Sequence, residues 1–401
     1  MKVLMVSGEF PPMVGGVGDY TACLASALHD LGVQVSVVTS AQSRPSEGAF
    51  SFPVIARVPD WNFRSWGSIR RNVERHAPDI VHIQYQAAAY RLHPAANLLP
   101  IVLRVARAGV RSVVTFHDLK VPFIFPKAGP LRERAVRLMA RSSDGVICTD
   151  EADLATVSHW GLRPPAHLIP IGSNIPVAQT GERTVSASDP DAQQTLQIGY
   201  FGLLNSSKGI DVLLRGYRIV RQRGLSVTLT MIGANLGDSD PTNVAYARRI
   251  KGQISELDID GSVRWTGQLS PEDTSRALQS LDACVLPYED GASFRRGTLM
   301  AALAHGLPII TTRPSRRPAG EASRCLSDRE NCLLVPPGDV GALAEAIQEL
   351  ANSPSLRERL ARGARDLSKQ FTWERIARKT LDAYERVLCA ERPASPGEPV
   401  R

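Results

Sequence analysis

Short apolar runs with no polar alternation recur along this chain, and each leads into a stretch of helical periodicity. KVLMVS, QVSVVT, DIVHIQ, SVVTFH, GVICT and HLIPI lie in the first half, with helical patterns such as 19–31 and 65–76 between them. A strand that is apolar at every position has no solvent face. It must be covered by helices on both sides, as in a parallel sheet. The rhythm stops over VAQTGERTVSASDPDAQQT, which is polar and aperiodic, and restarts with LQIGYFG, SVTLTMIG, SVRWTG, DACVLP, LPIITT and NCLLVPP. A chain of 401 residues is too long for one ordinary core and suits two. The expected fold class is α/β. Two doubly wound, Rossmann-like domains should span 1–177 and 196–370, with a linker at 178–195, a last helix at 371–389 and a disordered tail at 390–401.

Composition narrows the function. The formal charge of +7 arises from 47 basic and 40 acidic residues, a moderate excess that suits phosphate-bearing ligands or an anionic membrane surface. Arginine-lysine blocks interleaved with aromatics are missing, so no nucleic-acid partner is expected. The six cysteines are scattered without metal-type spacing and read as small core residues in a reducing compartment. The opening MKVLMVSGEF reads as a first strand rather than a signal peptide, and no apolar stretch reaches the ~18 residues of a spanning helix. A cytoplasmic protein is expected. GPLRERAVRLMARSSD sets arginines 132, 134, 137 and 141 among Leu131, Leu138 and Met139. It reads either as a solvated helix face or as a peripheral contact with the inner face of an anionic membrane, which would suit a lipid-linked acceptor.

In open α/β sheets ligands bind beyond the carboxyl ends of the strands, so the loops there are the places to look for chemistry. GEFPPMVGGVGDY follows the first strand and enters a helix. Gly15 and Gly16 allow close backbone approach, and the helix N-terminus offers amides to an anion. Its fit to a dinucleotide fingerprint is poor, because Thr21 stands where the third glycine belongs. Glu9 and Asp19 flank this loop and are expected to accept hydrogen bonds from an acceptor hydroxyl. His117 and Asp118 follow SVVTF directly, placing an imidazole at a strand end, whereas His82 lies within its strand and reads as a core or supporting residue. Lys208 occupies a helix start, where an acidic residue would be favoured on structural grounds. The segment GASFRRGTLMAALAHG aims Arg295 and Arg296 at the front of a short helix, a cationic fork suited to a diphosphate. The rival reading pairs both arginines with Glu289 and Asp290 at the surface.

FPPMVGGVGDYTACLASALHDLGVQVSVVT, PDIVHIQ, VVTFHD, GYFGLLNSSKGIDVLL, GLPIITT and NCLLVPPGDVGALAEAI together resemble the retaining glycosyltransferases of family 4 across nearly the whole chain. The resemblance implies the GT-B fold, two facing Rossmann-like domains with a terminal helix returning to the first. It also implies transfer from a nucleoside-diphosphate sugar with retention at the anomeric carbon, and neither a metal nor another cofactor. By the same resemblance Gly15 and Gly16 match the family's glycine loop, His117 its site histidine and Lys208 its diphosphate lysine. Gly202, Ser293, Phe294, Gly297 and Thr298 complete the expected donor-binding set, beside Arg295 and Arg296. The acceptor is left open among glycan, lipid-linked and small-molecule hydroxyls.

Two departures from the family pattern stand out. The arginine that follows the glycine of FG is Leu203 here, and the usual glutamate pair falls on Ser293 and Ala301. Arg295 and Arg296 are expected to restore the charge lost at Leu203. The missing carboxylates keep a second reading open: a nucleotide-sugar-binding or regulatory protein that retains the fold without catalysis.

Overall fold

The computed structural model describes residues 1–106, 110–119, 129–162, 165–179, 195–233, 241–314 and 324–390. The chain divides into two compact units, Met1–Pro170 joined by Trp373 onward, and Ile171–Thr372. The division falls before the expected boundary at 177. Ile171 and Ile175 pack on the second core, and the Ala178 amide donates to Ser275 Oγ at 2.8 Å, so this segment is already committed to the second unit. Most of the expected linker (180–194) and of the expected tail (391–401) lies outside the described residues.

The first unit carries β1 (Lys2–Ser7), β2 (Gln34–Ser40), β3 (Val54–Val58), β4 (Ile80–Tyr85), β5 (Arg111–Phe116), β6 (Gly145–Cys148) and β7 (Ala166–Leu168). They pair in the order β3-β2-β1-β4-β5-β6-β7, every pair parallel. Its helices are α1 (Gly16–Asp30), α2 (Ser65–His76), α3 (Ala95–Ala106), α4 (Gly129–Ser142) and α5 (Glu151–His159). Every residue of β4 is buried, His82 and Gln84 included. The second unit repeats the plan with β8 (Leu196–Phe201), β9 (Val227–Ile232), β10 (Val263–Gly267), β11 (Ala283–Leu286), β12 (Ile309–Thr312) and β13 (Leu333–Val335), ordered β10-β9-β8-β11-β12-β13. Helices α6 (Ile210–Gln222), α7 (Pro241–Glu256), α8 (Pro271–Gln279), α9 (Gly297–Ala304), α10 (Val340–Asn352) and α11 (Pro354–Ser368) connect and cover them. The last helix, α12 (Trp373–Cys389), belongs to the first unit and packs along α1. There Gly145 leaves room for Val387: a Cβ on that glycine would lie 2.6 Å from Val387 Cγ2.

The start of α1 departs from expectation. Glu9 Oε1 accepts from the amides of Val17 at 3.1 Å and Gly18 at 3.3 Å, so the carboxylate caps the helix inside its own loop. One oxygen of Glu9 is therefore spent on capping the helix, and two of the amides expected to meet a ligand are taken. Gly15 is required for this inward approach, since a Cβ there would collide with the Glu9 carboxylate. Burial raises the Glu9 carboxyl above its usual range against the lowering by those two amides. Burial, and then the neighbouring Glu9, push the Asp19 carboxyl up to about 6.

A carboxyl whose folded-state pKa is raised contributes stability below its unfolded value and loses it as pH rises through the folded one. Asp19→Asn should therefore raise Tm by a few degrees near pH 8, with the gain shrinking as pH falls through about 6 and vanishing near the ordinary value of 3.8. Melting curves of the two proteins across that range provide the check. An equal offset at every pH would rule this electrostatic account out.

Candidate active site

In the second unit the strand order reverses between β8 and β11, and the loops after these two strands meet there. Gly202 ends β8 at φ 140°, a conformation open to glycine, and a Cβ on it would lie 2.9 Å from Thr298 Cγ2. Gly209 sits at φ 65°, and a Cβ there would collide with the Pro287 carbonyl oxygen. The Glu289 amide then bonds the Ser207 carbonyl at 3.1 Å, tying one loop to the other.

Two cations converge on the Tyr288 ring that follows β11. Lys208 Nζ lies 5.2 Å from its centroid and Arg296 Cζ 4.9 Å. The Tyr288 hydroxyl is held 2.6 Å from Thr298 Oγ1 at the front of α9. Arg296 also pairs with Asp290, yet its Nε is buried without a hydrogen-bond partner among the described residues. Burial, reinforced by the Arg296 charge, pulls the Lys208 ammonium down to about 8. The cluster thus holds two cations against one paired carboxylate.

The expected donor set does not gather as a whole. Arg295 is exposed while Arg296 turns inward, so the two arginines separate. Phe294, expected to contact the donor, is instead buried at 4% exposure and packs on Phe371 at 4.6 Å between centroids. Ser293 Oγ accepts from the Arg295 amide at 3.3 Å, closing its own turn. Gly297 begins α9 with open space where its Cβ would lie. Ala301 is fully buried in α9, and Leu203 is 45% exposed. Tyr288, the organising ring, escaped the sequence reading; an aromatic directly beyond an apolar strand was the available signal.

In the first unit His117 follows β5, its amide donating to the Tyr85 carbonyl at 3.0 Å. Its Nε2 lies 3.0 Å from Gln84 Oε1, and its ring meets Tyr20 edge-on at 4.6 Å. Burial pushes its pKa down to about 3, so the imidazole is neutral at physiological pH. Asp118 accepts from Gln86 Nε2 at 3.2 Å. Gly16 has open space on its Cβ side, unlike Gly15. On α4, Met139 is buried and Arg137 bonds the Trp160 carbonyl, which leaves Leu131, Arg134, Leu138 and Arg141 exposed, with Glu133 exposed beside them; the side chain of Arg132 lies outside the described residues. Among the described residues no group of three or more His, Cys, Asp or Glu is placed to hold a metal ion, and no helix is long and apolar enough to cross a membrane.

Comparison with known proteins identifies the family and the fold. Residues 14–175 match the profile described as Glycosyltransferase Family 4, and residues 195–353 the one described as Glycosyl transferases group 1. The D-inositol 3-phosphate glycosyltransferase of Pseudarthrobacter chlorophenolicus is 24% identical, with 96% of each chain covered. Sucrose-phosphate synthase from Thermosynechococcus elongatus shares the fold at TM-score 0.73 and 21% identity, over 97% of this chain and 100% of that one. So does Anabaena HepE, solved with UDP-glucose, at TM-score 0.69 and 18% identity over 96% and 100%. With both halves matched in order and two parallel-sheet units of this topology, the chain belongs to the retaining glycosyltransferases of family 4, built on the GT-B fold.

Proposed function

We propose that this glycosyltransferase draws its sugar from a nucleoside-diphosphate donor and that Lys208 and Arg296 hold the diphosphate. The observation that carries the reading is the convergence of both cations on Tyr288 with Arg296 Nε left unpartnered among the described residues. A diphosphate would give Lys208 an anion to pair with and Arg296 Nε an acceptor. It gains charge as the glycosidic bond breaks, so cations already in place favour the transition state over the ground state. This is work that a divalent ion does on other scaffolds, and the reading is metal-independent. Arg296 takes over the charge missing at Leu203; Arg295, being exposed, does not. HepE was solved with UDP-glucose, which makes a uridine-diphosphate sugar the first donor to try.

On the acceptor side, neutral His117 is the hydrogen-bonding partner of a sugar hydroxyl, with Asp118 and Asp19 nearby in the sequence and loops. The contacts made elsewhere by the glutamate pair must come from other groups, because Ala301 is buried and Ser293 closes its own turn. That observation is also what favours the rival, a binding protein without catalysis. The exposed Leu131, Arg134, Leu138 and Arg141 stripe supports peripheral contact with an anionic membrane, and hence a lipid-linked acceptor.

A panel of UDP-, GDP-, ADP- and dTDP-sugars, followed by thermal shift and by release of the nucleoside diphosphate, separates enzyme from binder. Stabilisation by one donor with turnover that persists in EDTA is expected. Stabilisation without turnover on any acceptor identifies the binder, and activity abolished by EDTA and restored by magnesium refutes the metal-free route.

A charged hydrogen bond to phosphate contributes about 1.5–3 kcal/mol, so Arg296→Gln should weaken diphosphate binding or turnover about ten- to a hundredfold while Arg295→Gln stays near the parent. Because the Lys208 pKa is lowered to about 8, affinity for the free nucleoside diphosphate should fall as pH rises past that value, and the fall should disappear in Lys208→Met. Calorimetric titration across pH 6.5–9.5 reads both; a flat profile removes Lys208 from the site.

For the membrane, co-sedimentation with phosphatidylglycerol vesicles but not with phosphatidylcholine vesicles is expected, and Leu138→Glu should abolish it. Binding to neither vesicle returns α4 to the role of a solvated face.

A further inference from the structure

His117 is the visible end of a buried polar chain. On β4, Gln84 presents its Oε1 to His117 Nε2, and its amide nitrogen lies 3.2 and 3.3 Å from the two ring nitrogens of His82. His82 Nδ1 is 2.6 Å from the Tyr384 hydroxyl on α12, and its Nε2 is 2.7 Å from Thr115 Oγ1 on β5. His82, Gln84, Thr115 and Tyr384 are all fully buried. Buried groups of this kind must satisfy one another, so the protons can be followed from one end to the other.

Burial raises the Tyr384 pKa well above its ordinary value, so its hydroxyl keeps its proton. Among the described residues that proton has one acceptor, His82 Nδ1. Burial also keeps His82 neutral, pushing its pKa to about 3. A neutral imidazole has a single N–H, which here must be at Nε2 and donate to Thr115 Oγ1. Gln84 turns its NH2 toward the His82 ring, 3.2 Å from Nδ1. Its Oε1 is left for His117, and an acceptor there requires a proton on His117 Nε2.

We propose that Gln84, oriented by His82 and Tyr384, is a positioning residue that fixes His117 as the Nε2–H tautomer and keeps Nδ1 as an unprotonated acceptor for a substrate hydroxyl. The last step rests on the reading of His117 as a sugar-hydroxyl partner given above. A second contact from α12 holds the same ring. Trp373, its first residue, meets Tyr20 at 5.2 Å, and Tyr20 meets His117 edge-on. The titratable groups facing or flanking His117 are Tyr20 from α1, His82 from β4 and the adjacent Asp118, whose carboxylate is bonded to Gln86.

The test uses full-length protein with 15N-labelled histidines. Long-range 1H–15N spectra report the tautomer of each of the eight histidines, and His117→Gln assigns the signal. His117 is expected as one neutral Nε2–H form from about pH 8 down to about pH 5.5. Gln84→Glu sets a carboxylate on that proton. It should bring His117 protonation into the measured range and give kcat an acid-side pH dependence that the parent lacks. Tyr384→Phe removes the donor that orients His82. It should give a mixture of His117 tautomers and lower kcat about three- to tenfold, with donor KM within about twofold. A parent signal in the Nδ1–H form, or a parent-like His117 signal in both variants, overturns the proposal. An Nε2–H parent whose His117→Ala variant transfers sugar at full rate upholds the tautomer assignment and removes only the sugar contact.

Discussion

A parallel strand covered on both faces has no place for chemistry except at its ends. That constraint governs both units. Buried strands such as β4 and β12 leave no solvent-facing side chain along their length, so the candidate functional groups lie in the loops beyond them and in the first turns of the helices that follow. Where polar groups do lie within a strand, as His82 and Gln84 do, they are bound to one another and to neighbouring elements rather than to solvent. The reactive edge and the inner polar chain are two consequences of the same burial.

Electrostatics then sorts the loops. In the loops after β8 and β11 Lys208 and Arg296 share one aromatic ring, and Arg296 pairs with one carboxylate, an arrangement with excess positive charge. After β1 the opposite holds: the amides at the front of α1 are already met by Glu9, and Asp19 adds a second carboxyl whose ionisation is resisted. One unit therefore carries excess positive charge in these loops, and the other has a carboxylate of its own in its first loop.

The strands and the loops after them were legible because uninterrupted apolar runs leave a single packing solution. Helix α3 was not, since Pro100 interrupts its pattern from within, and the half-exposed edge strand β3 lacks the apolar continuity of its neighbours. Lys208 stood out as a cation where a helix start favours an acid. The Arg295 and Arg296 pair reads symmetrically in sequence, and only the turn closed by Ser293 decides which one faces inward. Glu9 looked like a ligand-facing group because nothing local reveals that the following helix folds its amides back onto it. Gln84 and Tyr384 were invisible for a related reason: their meaning comes from His82, which is 302 residues from Tyr384.

That separation bears on how the protein is made. The larger part of the first unit precedes the second in sequence, but it lacks α12 until Trp373 and the residues after it have been synthesised, by which time Ile171–Thr372 is complete. Until then His82 lacks the hydroxyl that satisfies it, Tyr20 lacks Trp373, and the space beside Gly145 is unfilled. Domains fold as units as they emerge. Here the unit that precedes the other in sequence is completed after it, and His117 gains its full support only once Trp373–Cys389 has been made.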